Sequence, residues 1–555
     1  MYSFLNQYSN SVVLLAALVG VALGVSACDS LVEQDVKSQV SDTYLQTAEG
    51  YESAVNGAYS SLRAWYAKEI GGTMTVFGTD TYMEGSDGSW KHYDDYTGAL
   101  GPTDGFAEGL WDTMYEGINN ANTVISRGEG GVEGLSQELV NRRVAEAKFL
   151  RAHHYFTLVR HYGPVHLTTE ETAGVETEAS RAPIGDVYAQ IISDLEDAIG
   201  TLPVEAQEFG RATKPAAEHL LSKVYLTRGW SEASQSGDFA EAEALAETVL
   251  NSYDFRLLED FGDVFALDNQ QNDEVIWSVQ YDLNQQINGD GNNFHLYFLM
   301  EYDVRPGMSR NVRDGRPWKR FRPTEFTLET LMDDRTNDVR WDRSFKDVFF
   351  SNNPGTYTCD GVECTIAEGD TALYLPGFEM PQAEQEARDY MVYTPSEYTD
   401  KVYPTLTKHL DPNRPTINDP RGSRDFIVMR LAETYLLAAE AEVRQNKPAE
   451  AADHINAVRV RAAREGVSGS EAAMRIDASQ ADVDFVLDER GRELLGEMKR
   501  WYDLVRTNQL VERVRDHNPF GAPNIEESKH ELRPIPQSQR DLTDGEFPQN
   551  PGYGQ

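Results

Sequence analysis

The chain has little lysine and little positive charge of any kind. Among its 555 residues, 13 Lys and 37 Arg stand against 91 acidic residues, which leaves a formal net charge of −41. A surface with this excess of negative charge repels a phosphate backbone and cannot supply the contacts on which nucleic-acid binding depends. We therefore exclude nucleic acid as a partner. Scarce lysine with abundant acid also suggests a protein kept soluble in concentrated salt; an ordinary acidic surface protein is the alternative.

Long hydrophobic runs are also scarce, and the run at residues 12–25 is too short for an ordinary transmembrane helix. The residues that follow it, Val25-Ser26-Ala27-Cys28, resemble a bacterial lipobox, in which the signal is cut before the cysteine and the thiol carries lipid. We expect residues 1–27 to be a lipoprotein signal peptide, Cys28 to be lipidated and residues 28–43 to form a tether. Residues 1–10 contain no Lys or Arg, so the positive charge expected of a signal peptide rests on the amino terminus alone. A plain signal peptide with an incidental cysteine is the alternative.

Cysteine is almost absent beyond Cys28. The two others, Cys359 and Cys364, are separated by Asp-Gly-Val-Glu. An even pair in an exported chain indicates one disulfide. A zinc site would need four ligands, and no second cysteine pair or neighbouring histidine run accompanies these residues. We predict a disulfide that closes a small loop and holds an exposed hairpin.

The sequence lacks the short motifs of several enzyme classes. It contains no Gly-x-Ser-x-Gly elbow, no His-Glu-x-x-His and no phosphate-binding glycine loop. Chance carboxylate pairs are uninformative here, because a glycosidase needs a defined separation in space. Residues 288–293 offer oxygen ligands suited to calcium but lack the closing bidentate Glu, so we interpret them as a turn, with calcium as the minor alternative. We predict no catalytic residues, no cofactor and no metal site.

Helical periodicity, with apolar residues three and four positions apart, recurs over much of the chain. In residues 139–162 the apolar positions form one stripe, Ser136 can cap the start and Gly163-Pro164 ends the helix. Paired helices of this size resemble tetratricopeptide repeats, whose faces are buried only by stacking on neighbouring pairs. The predicted helices cover residues 44–68, 110–125, 139–162, 186–202, 216–230, 240–250, 426–445, 448–465 and 484–505.

Two stretches lack this periodicity. Residues 71–105 are rich in Gly and aromatic residues and are predicted to form a long surface loop. Residues 253–420 combine Pro, Gly, Asn and aromatic residues with short apolar runs, and are predicted to be an irregular insertion with a few strands. The predicted fold is therefore mainly α: tetratricopeptide-like helical repeats in residues 44–252 and 421–555, with a large irregular, partly β insertion between them.

Short sequence strings along the mature chain carry a family resemblance. They include Asn56-Gly57-Ala58-Tyr59, residues 145–152, 210–214, 429–436, 439–441, 458–459, 461–462, 489–494 and 500–504, Pro534-Ile535-Pro536 and residues 549–553. In their number, order and spacing these strings resemble the SusD/RagB family of nutrient-uptake outer-membrane lipoproteins. The resemblance spans nearly the whole mature chain and implies a SusD-like fold.

The resemblance also implies a place and a partner. It implies a lipid-anchored protein of the cell outer membrane that faces the cell exterior and delivers ligand to a SusC-like TonB-dependent outer-membrane transporter. Some members of the family take oligosaccharides, whereas RagB-like members take peptides, so either an oligosaccharide or a peptide ligand fits. No cofactor is implied.

Aromatic residues in the two irregular stretches are the candidates for ligand contact. Sugar rings present apolar C–H faces that stack on Trp and Tyr, while polar groups around the rings bond their hydroxyls. The candidate ligand-binding residues are Trp90, Tyr93, Tyr96, Tyr297, Tyr302 and Trp318.

Charged residues of the family strings are predicted to be structural rather than catalytic. They lie on predicted helices, at spacings that suit ion pairs and caps between stacked repeats. These residues are Glu146, Arg151, Glu433, Glu440, Arg459, Arg461, Glu489, Arg490 and Arg500.

Three functions are compatible with these observations. The first is a non-catalytic binding component of a nutrient importer, which the lipobox and the family strings favour. The second is a hydrolase displayed on the cell surface, which would release cleavage products from glycans or peptides. The third is a helical-repeat scaffold that binds only proteins and has no affinity for small ligands.

Replacing Cys28 by Ala should release the protein from the outer membrane. One acyl chain binds a membrane weakly, so bacterial lipoproteins carry several chains on one cysteine, and all are lost with the thiol. Membrane fractionation followed by immunoblotting measures the outcome. If Cys28→Ala stays with the membrane after salt and carbonate washing, the anchor lies elsewhere.

Overall fold

The computed structural model describes residues 42–172, 174, 176–359 and 361–554. The predicted signal peptide, Cys28 and residues 28–41 of the predicted tether lie outside the described residues. The described part of the chain is mainly α-helical, as predicted. Within it, no helix is both long enough and apolar enough to cross a membrane.

The helices fall into three groups. Before the insertion they are α1 (Asp42–Leu45), α2 (Ala48–Ser60), α3 (Glu69–Thr75), α4 (His92–Asp95), α5 (Gly105–Glu129), α6 (Gln137–Tyr162), α7 (Ile184–Thr201), α8 (Lys214–Gly229) and α9 (Asp238–Asn251). Within the insertion they are α10 (Gln285–Asn288), α11 (Arg340–Ser344) and α12 (Gln382–Gln385). After it they are α13 (Leu431–Arg444), α14 (Pro448–Arg461), α15 (Ser470–Met474), α16 (Val483–Glu493), α17 (Arg500–Arg506), α18 (Leu510–His517) and α19 (Gln537–Leu542).

The strands are short and lie mostly in the insertion. They are β1 (Tyr82–Glu84), β2 (Val275–Val279), β3 (Phe321–Pro323), β4 (Phe345–Lys346), β5 (Val348–Phe350), β6 (Gly355–Cys359), β7 (Val362–Ile366), β8 (Thr371–Tyr374), β9 (Met391–Val392), β10 (Thr405–Leu406) and β11 (Phe426–Arg430). They pair as β1 with β3, β2 with β11, β4 with β10 and β6 with β7, while β8 pairs with both β5 and β9. Cys359 of β6 and Cys364 of β7 form a disulfide across their hairpin.

A stack of helices forms the body of the protein. Helices pack on one another in the order α2, α5, α6, α7, α8, α9, α13 and α14. The chain leaves this stack after α9 and returns at α13, so the insertion is placed between two helices that touch. Ala242 of α9 and Ala441 of α13 share a buried cluster, and such small side chains allow two helices to approach closely.

Local signals fix the ends of α6 as predicted. The Ser136 hydroxyl accepts a hydrogen bond from the backbone N–H of Leu139 at 3.3 Å, which satisfies a free donor of the first turn. Gly163 follows the helix with a φ of 68°, a conformation that favours glycine. Such caps set the helix ends without any long-range contact.

Two predicted helices are interrupted in the structure. In the predicted helix 426–445, the first five residues instead form β11, which pairs with β2; aromatic and β-branched side chains suit a half-buried strand. The predicted helix 484–505 is two helices, α16 and α17. The turn between them contains Gly496 and Met498 with φ of 76° and 59°, values that a right-handed helix excludes.

The predicted surface loop 71–105 is largely buried instead. It contains α3, β1 and α4, and its Asp80 is fully buried. Asp80 accepts a hydrogen bond from Arg500 of α17, with 2.7 Å between Nε and Oδ1. A buried carboxylate is stable only when it is paired, so this contact fixes the segment to the C-terminal region. The composition of residues 71–105 could not reveal this ion pair, because Asp80 and Arg500 lie 420 residues apart in the sequence.

Buried ion pairs join the insertion to the C-terminal helices. The side chain of Glu493, at the end of α16, is fully buried. It accepts hydrogen bonds from Arg461 at 2.5 Å, from Arg430 at 2.7 Å and from Arg340 of the insertion at 3.3 Å. One carboxylate thus holds β11, α14 and α11 together.

A second carboxylate extends this ion-pair network. Glu497 accepts hydrogen bonds from Arg430 at 2.8 Å and from Lys408 of the insertion at 2.8 Å. Both of these cations are buried as well. The insertion is therefore bound to the helical stack at two separate positions, Arg340 and Lys408.

The charged residues of the family strings form ion pairs, as predicted. Each of the nine pairs with at least one oppositely charged side chain. The pairs are Glu146 with Arg143 and Arg211, Arg151 with Asp194, Glu433 with Lys223 and Lys499, Glu440 with Arg506, Arg459 with Glu489, Arg461 with Glu274, Arg490 with Asp503, and Arg500 with Asp80.

The substitution Glu493→Gln should lower the free energy of unfolding by about 3–5 kcal/mol, because it leaves three buried guanidinium groups without the charge they share. Urea denaturation measures this change. Glu205→Gln, the same substitution at an exposed loop position, is the control and should change the value by less than about 0.5 kcal/mol. Equal stability of Glu493→Gln and wild type would contradict the role given to the network.

The network should also make the fold sensitive to acid. Burial raises the pKa of Glu497, but Arg430 and Lys408 outweigh burial and lower it from 4.5 to about 2. A carboxyl with a lowered folded-state pKa contributes its full stability above pH 4.5 and loses it as the pH falls towards 2. The free energy of unfolding should decrease over this range, and less steeply in Glu497→Gln. Urea titrations at several pH values test this, and identical slopes for the two proteins would argue against it.

Candidate ligand-binding site

The pairing of β1 with β3 brings the segment 71–105 against the insertion. The ladder continues beyond the strands as two backbone hydrogen bonds. The N–H of Gly85 donates to the carbonyl of Arg320 at 2.9 Å, and the N–H of Asp87 donates to the carbonyl of Lys319 at 3.2 Å. Two stretches that are far apart in sequence thus form one continuous surface.

Two glycines permit this close approach. A Cβ on Gly85 would lie 2.2 Å from the carbonyl oxygen of Lys319. Gly88 has a φ of 101°, and a Cβ there would lie 3.3 Å from Cδ of Arg320. A larger residue would separate the two segments at the first position and strain the backbone at the second. The glycine content of this stretch therefore reflects docking on the insertion.

Trp90 is a partly exposed side chain at one end of this surface. Its ring stacks on Phe106, with 3.8 Å between the centroids and 20° between the planes. Gly105 leaves room for the ring, since a Cβ there would lie 3.3 Å from it. An aromatic ring supported in this way offers contact area to a ligand at a low cost in conformational entropy.

Trp318 is the second partly exposed tryptophan. Its ring centroid lies 5.1 Å from that of Tyr297, which is buried beneath it. The guanidinium carbons of Arg320 and Arg316 lie 5.2 Å and 5.7 Å from the same ring. Cations at this distance from an aromatic ring are attracted to its π electrons, which helps to fix the orientation of the indole.

Both tryptophans flank the same ladder. Trp90 lies three residues beyond Asp87, and Trp318 directly precedes Lys319. We name the region formed by Trp90, residues 85–89 and Trp318 the tryptophan surface. Its arrangement, two supported aromatic rings beside a polar backbone segment, suits a ligand with apolar faces and polar edges.

The tryptophan surface also contains polar side chains. Asp87 and Ser89 are exposed, and Lys319 donates to Glu301 at 3.2 Å. The hydroxyl of Ser86 and Nε of Arg320 are buried and have no hydrogen-bond partner within the described ranges. Burial lowers the pKa of Arg320 to about 10, so the group stays charged at neutral pH.

Four of the six predicted ligand residues are core residues, and for these the structure corrects the prediction. Tyr93, Tyr96, Tyr297 and Tyr302 are all buried, at 2% exposure or less. Their hydroxyls donate inside the protein, to Asp104 at 2.6 Å, Gly78 at 2.5 Å, Asn293 at 3.0 Å and Gly315 at 2.5 Å respectively. Without exposed ring surface these tyrosines cannot stack on a ligand. Trp90 and Trp318 remain as candidates.

A cleft that the sequence did not predict lies elsewhere, between α2 and the end of β2. It has a volume of about 520 Å³ and is lined by Arg63, Arg211 and Gln280, among others. Phe209 and Ile287 lie on it and are exposed apolar side chains. The volume lies within the range of small-molecule sites, about 300–1,000 Å³. It is the alternative place for a ligand.

The described residues contain one group of three side chains that could hold a metal ion: Glu247, Glu442 and His454. Nδ1 of His454 lies 2.8 Å from Glu442, and Nε2 lies 3.2 Å from Glu247. The carboxylates thus occupy opposite nitrogens of one ring. Burial lowers the pKa of His454, but the carboxylates outweigh it and raise the pKa overall. This geometry suits a protonated imidazole that joins α9, α13 and α14.

The run 288–293 has the contacts of a turn. The side-chain oxygen of Asn288 accepts from the N–H of Asp282 at 3.0 Å, and that of Asn292 accepts from the N–H of Phe294 at 3.0 Å. Both asparagines are buried. Their oxygens are therefore used to hold backbone, which agrees with the interpretation as a turn.

Comparisons with protein families match both halves of the chain. Residues 273–553, just over half of the chain, match a family model described as SusD family. Residues 33–226 match a family model described as starch-binding associating with outer membrane. The chain is also 27% identical over 560 residues to SusD-like protein P2 of Formosa agariphila, with 98% of each chain covered.

Solved structures show the same fold. A laminarin-binding SusD-like protein is 21% identical with a TM-score of 0.68, and the match covers 91% of this chain and 100% of that one. A SusD homologue from Bacteroides thetaiotaomicron is 22% identical with a TM-score of 0.72, covering 92% of this chain and 98% of that one. The predicted fold, helical repeats with a partly β insertion, is confirmed.

Proposed function

Because the chain belongs to the SusD family, we propose that it is a non-catalytic, surface-exposed protein that binds oligosaccharides. The observation that carries this proposal is the tryptophan surface. Two partly exposed indoles, each packed against a second aromatic ring, flank one backbone ladder. The two segments that form this ladder are far apart in sequence. The matched family description names starch and one structural neighbour binds laminarin, which supports a glycan as the ligand class.

The chemistry of a sugar fits this surface. The C–H face of a pyranose ring covers an indole, while its hydroxyls need hydrogen-bond partners at the rim. Asp87 and Ser89 supply an exposed carboxylate and an exposed hydroxyl in the segment that precedes Trp90, and Lys319 follows Trp318 directly. The surface thus combines the apolar and polar contacts that orient a small ligand.

The buried charges support a binding role over hydrolysis. A glycosidase needs two accessible carboxyl groups on either side of a scissile bond. The conspicuous carboxylates of the family strings, such as Glu433, Glu440 and Glu489, are buried and already paired with Lys or Arg. They have no access to a substrate.

Our proposal for the membrane anchor and the transporter partner rests on the family resemblance alone. In this proposal the lipid on Cys28 holds the protein at the outer face of the outer membrane, and the ligand passes to a SusC-like TonB-dependent transporter. A peptide ligand is the second candidate, because RagB-like members of the family take peptides.

Purified protein should bind at least one oligosaccharide of a glycan panel. Trp318→Ala or Trp90→Ala should weaken that binding roughly ten- to a hundredfold, because the loss of an aromatic side chain that the ligand covers costs about 1–3 kcal/mol of binding free energy. Isothermal titration calorimetry measures the affinity. Both tryptophans are partly exposed, so the melting temperature should change little.

Phe209→Ala is the matched control, because it removes an exposed aromatic ring from the other cleft. It should leave glycan binding unchanged. Loss of binding in Phe209→Ala but not in the tryptophan variants would move the site to that cleft. Binding to a peptide panel alone would overturn the choice of ligand, and products released from a bound glycan would overturn the non-catalytic role.

A further inference from the structure

A small internal cavity is lined by three cations. It lies among α6, α8, the end of β11 and the start of α17, and has a volume of about 30 Å³. Arg160, Lys223 and Lys499 line it, together with aromatic and aliphatic side chains, and no carboxylate is among the lining residues. In a chain with 91 acidic and 50 basic residues, a buried space whose charged lining residues are all cations needs a physical explanation.

One carboxylate behind the cavity is shared by several cations. Glu433 is fully buried; its Oε1 lies 2.5 Å from Nζ of Lys223, and its Oε2 lies 2.9 Å from Nζ of Lys499. Arg490 approaches the same carboxylate at 3.5 Å. A single negative charge thus serves two ammonium groups and part of a guanidinium group. The cluster retains excess positive charge, which is costly in a medium of low dielectric constant.

His153 adds an unused donor to the cavity wall. It lines the cavity and is buried. Its Nε2 lies 2.8 Å from the hydroxyl of Tyr66, while Nδ1 has no hydrogen-bond partner in the described part of the chain. In the tautomer whose Nε2 accepts from Tyr66, Nδ1 carries a proton that lacks an acceptor. Buried donors without acceptors are rare in native proteins.

Arg160 connects the cavity with solvent. Its side chain is partly exposed, its Nε donates to the carbonyl of Phe156 at 3.0 Å, and its guanidinium lies 3.6 Å from the ring centroid of Tyr502. None of the ion pairs described for this part of the chain uses Arg160. It therefore holds a positive charge at the edge of the cavity with no carboxylate opposite it.

We propose that this cavity is a binding site for one small monovalent anion of the halide class, chloride above all. A water molecule needs about 10–15 Å³ of such space, so 30 Å³ holds one or two waters or a single halide ion. A phosphate, a sulfate or a sugar is too large. The anion would neutralise the excess charge of Lys223, Lys499 and Arg160 and accept from the free donor of His153.

The site would act on stability and not on ligand capture. The cavity lies where α6 and α8 of the first helical region meet β11 and the segment before α17. A bound anion would therefore stabilise the packing of these elements on one another. Burial lowers the pKa of Lys223 well below its ordinary value; Glu433 opposes this, and Lys499 and Arg160 lower it further. A bound anion would help to keep that ammonium group charged.

The test compares sodium chloride with sodium gluconate at equal ionic strength and pH, using the full mature chain. Gluconate is too large for the cavity. The melting temperature should rise with chloride and level off at a gain of about 1–3 °C, as expected for a ligand that binds only the folded state. Crystals soaked in sodium bromide should show one anomalous peak in the cavity.

Two variants of α6 make the test specific. Arg160→Gln should abolish both the chloride-specific gain and the bromide peak, whereas Arg160→Lys should keep the charge and part of the gain. Arg142→Gln is the matched control on the same helix, at an exposed i,i+4 pair with Glu138, and should respond to chloride like wild type. Equal melting temperatures in the two salts, or a cavity that contains only water after the bromide soak, would overturn the proposal.

Discussion

Buried charges that must be matched constrain the whole architecture. Arg430, at the junction of β11 and α13, pairs with Glu493 and Glu497 in the interior. Because Arg340 and Lys408 of the insertion reach the same two carboxylates, the insertion cannot shift without leaving a charge unpaired in a medium of low dielectric constant. A segment rich in turns is thereby attached at two positions to the helices it interrupts.

The tryptophan surface, the proposed binding surface, depends on this constraint at both of its ends. Trp318 belongs to the insertion, which the Glu493 and Glu497 pairs fix. Trp90 belongs to the segment 71–105, which the buried pair of Asp80 and Arg500 fixes to α17. Two separate ion-pair anchors thus hold the segments that carry the two indoles beside one ladder, although these segments contain little regular structure.

Features of the fold that depend on neighbouring residues could be predicted from the sequence. Features that depend on partners far away in the sequence could not. The cap at Ser136 and the turn at Gly163 are local, and α6 ends where they predict. The residues of β11 were predicted to be helical, and only their pairing with β2 shows that they form a strand. The same limit applies to the site, since aromatic composition does not distinguish Tyr297 from Trp318. Only the fold places an acceptor at the Tyr297 hydroxyl and leaves Trp318 partly exposed.

In the proposed function, the distribution of charge disfavours an anionic ligand at the tryptophan surface. The buried carboxylates are largely neutralised by buried Arg and Lys, so the net charge of −41 lies mainly at the surface. At the exposed surface this field repels anions and gives no help to a neutral molecule. A neutral sugar that stacks on indole rings meets no such repulsion, and stacking, unlike ion pairing between exposed groups, is not weakened by salt. The aromatic surface and the acidic exterior are therefore compatible even at high ionic strength, where charge-based capture would fail.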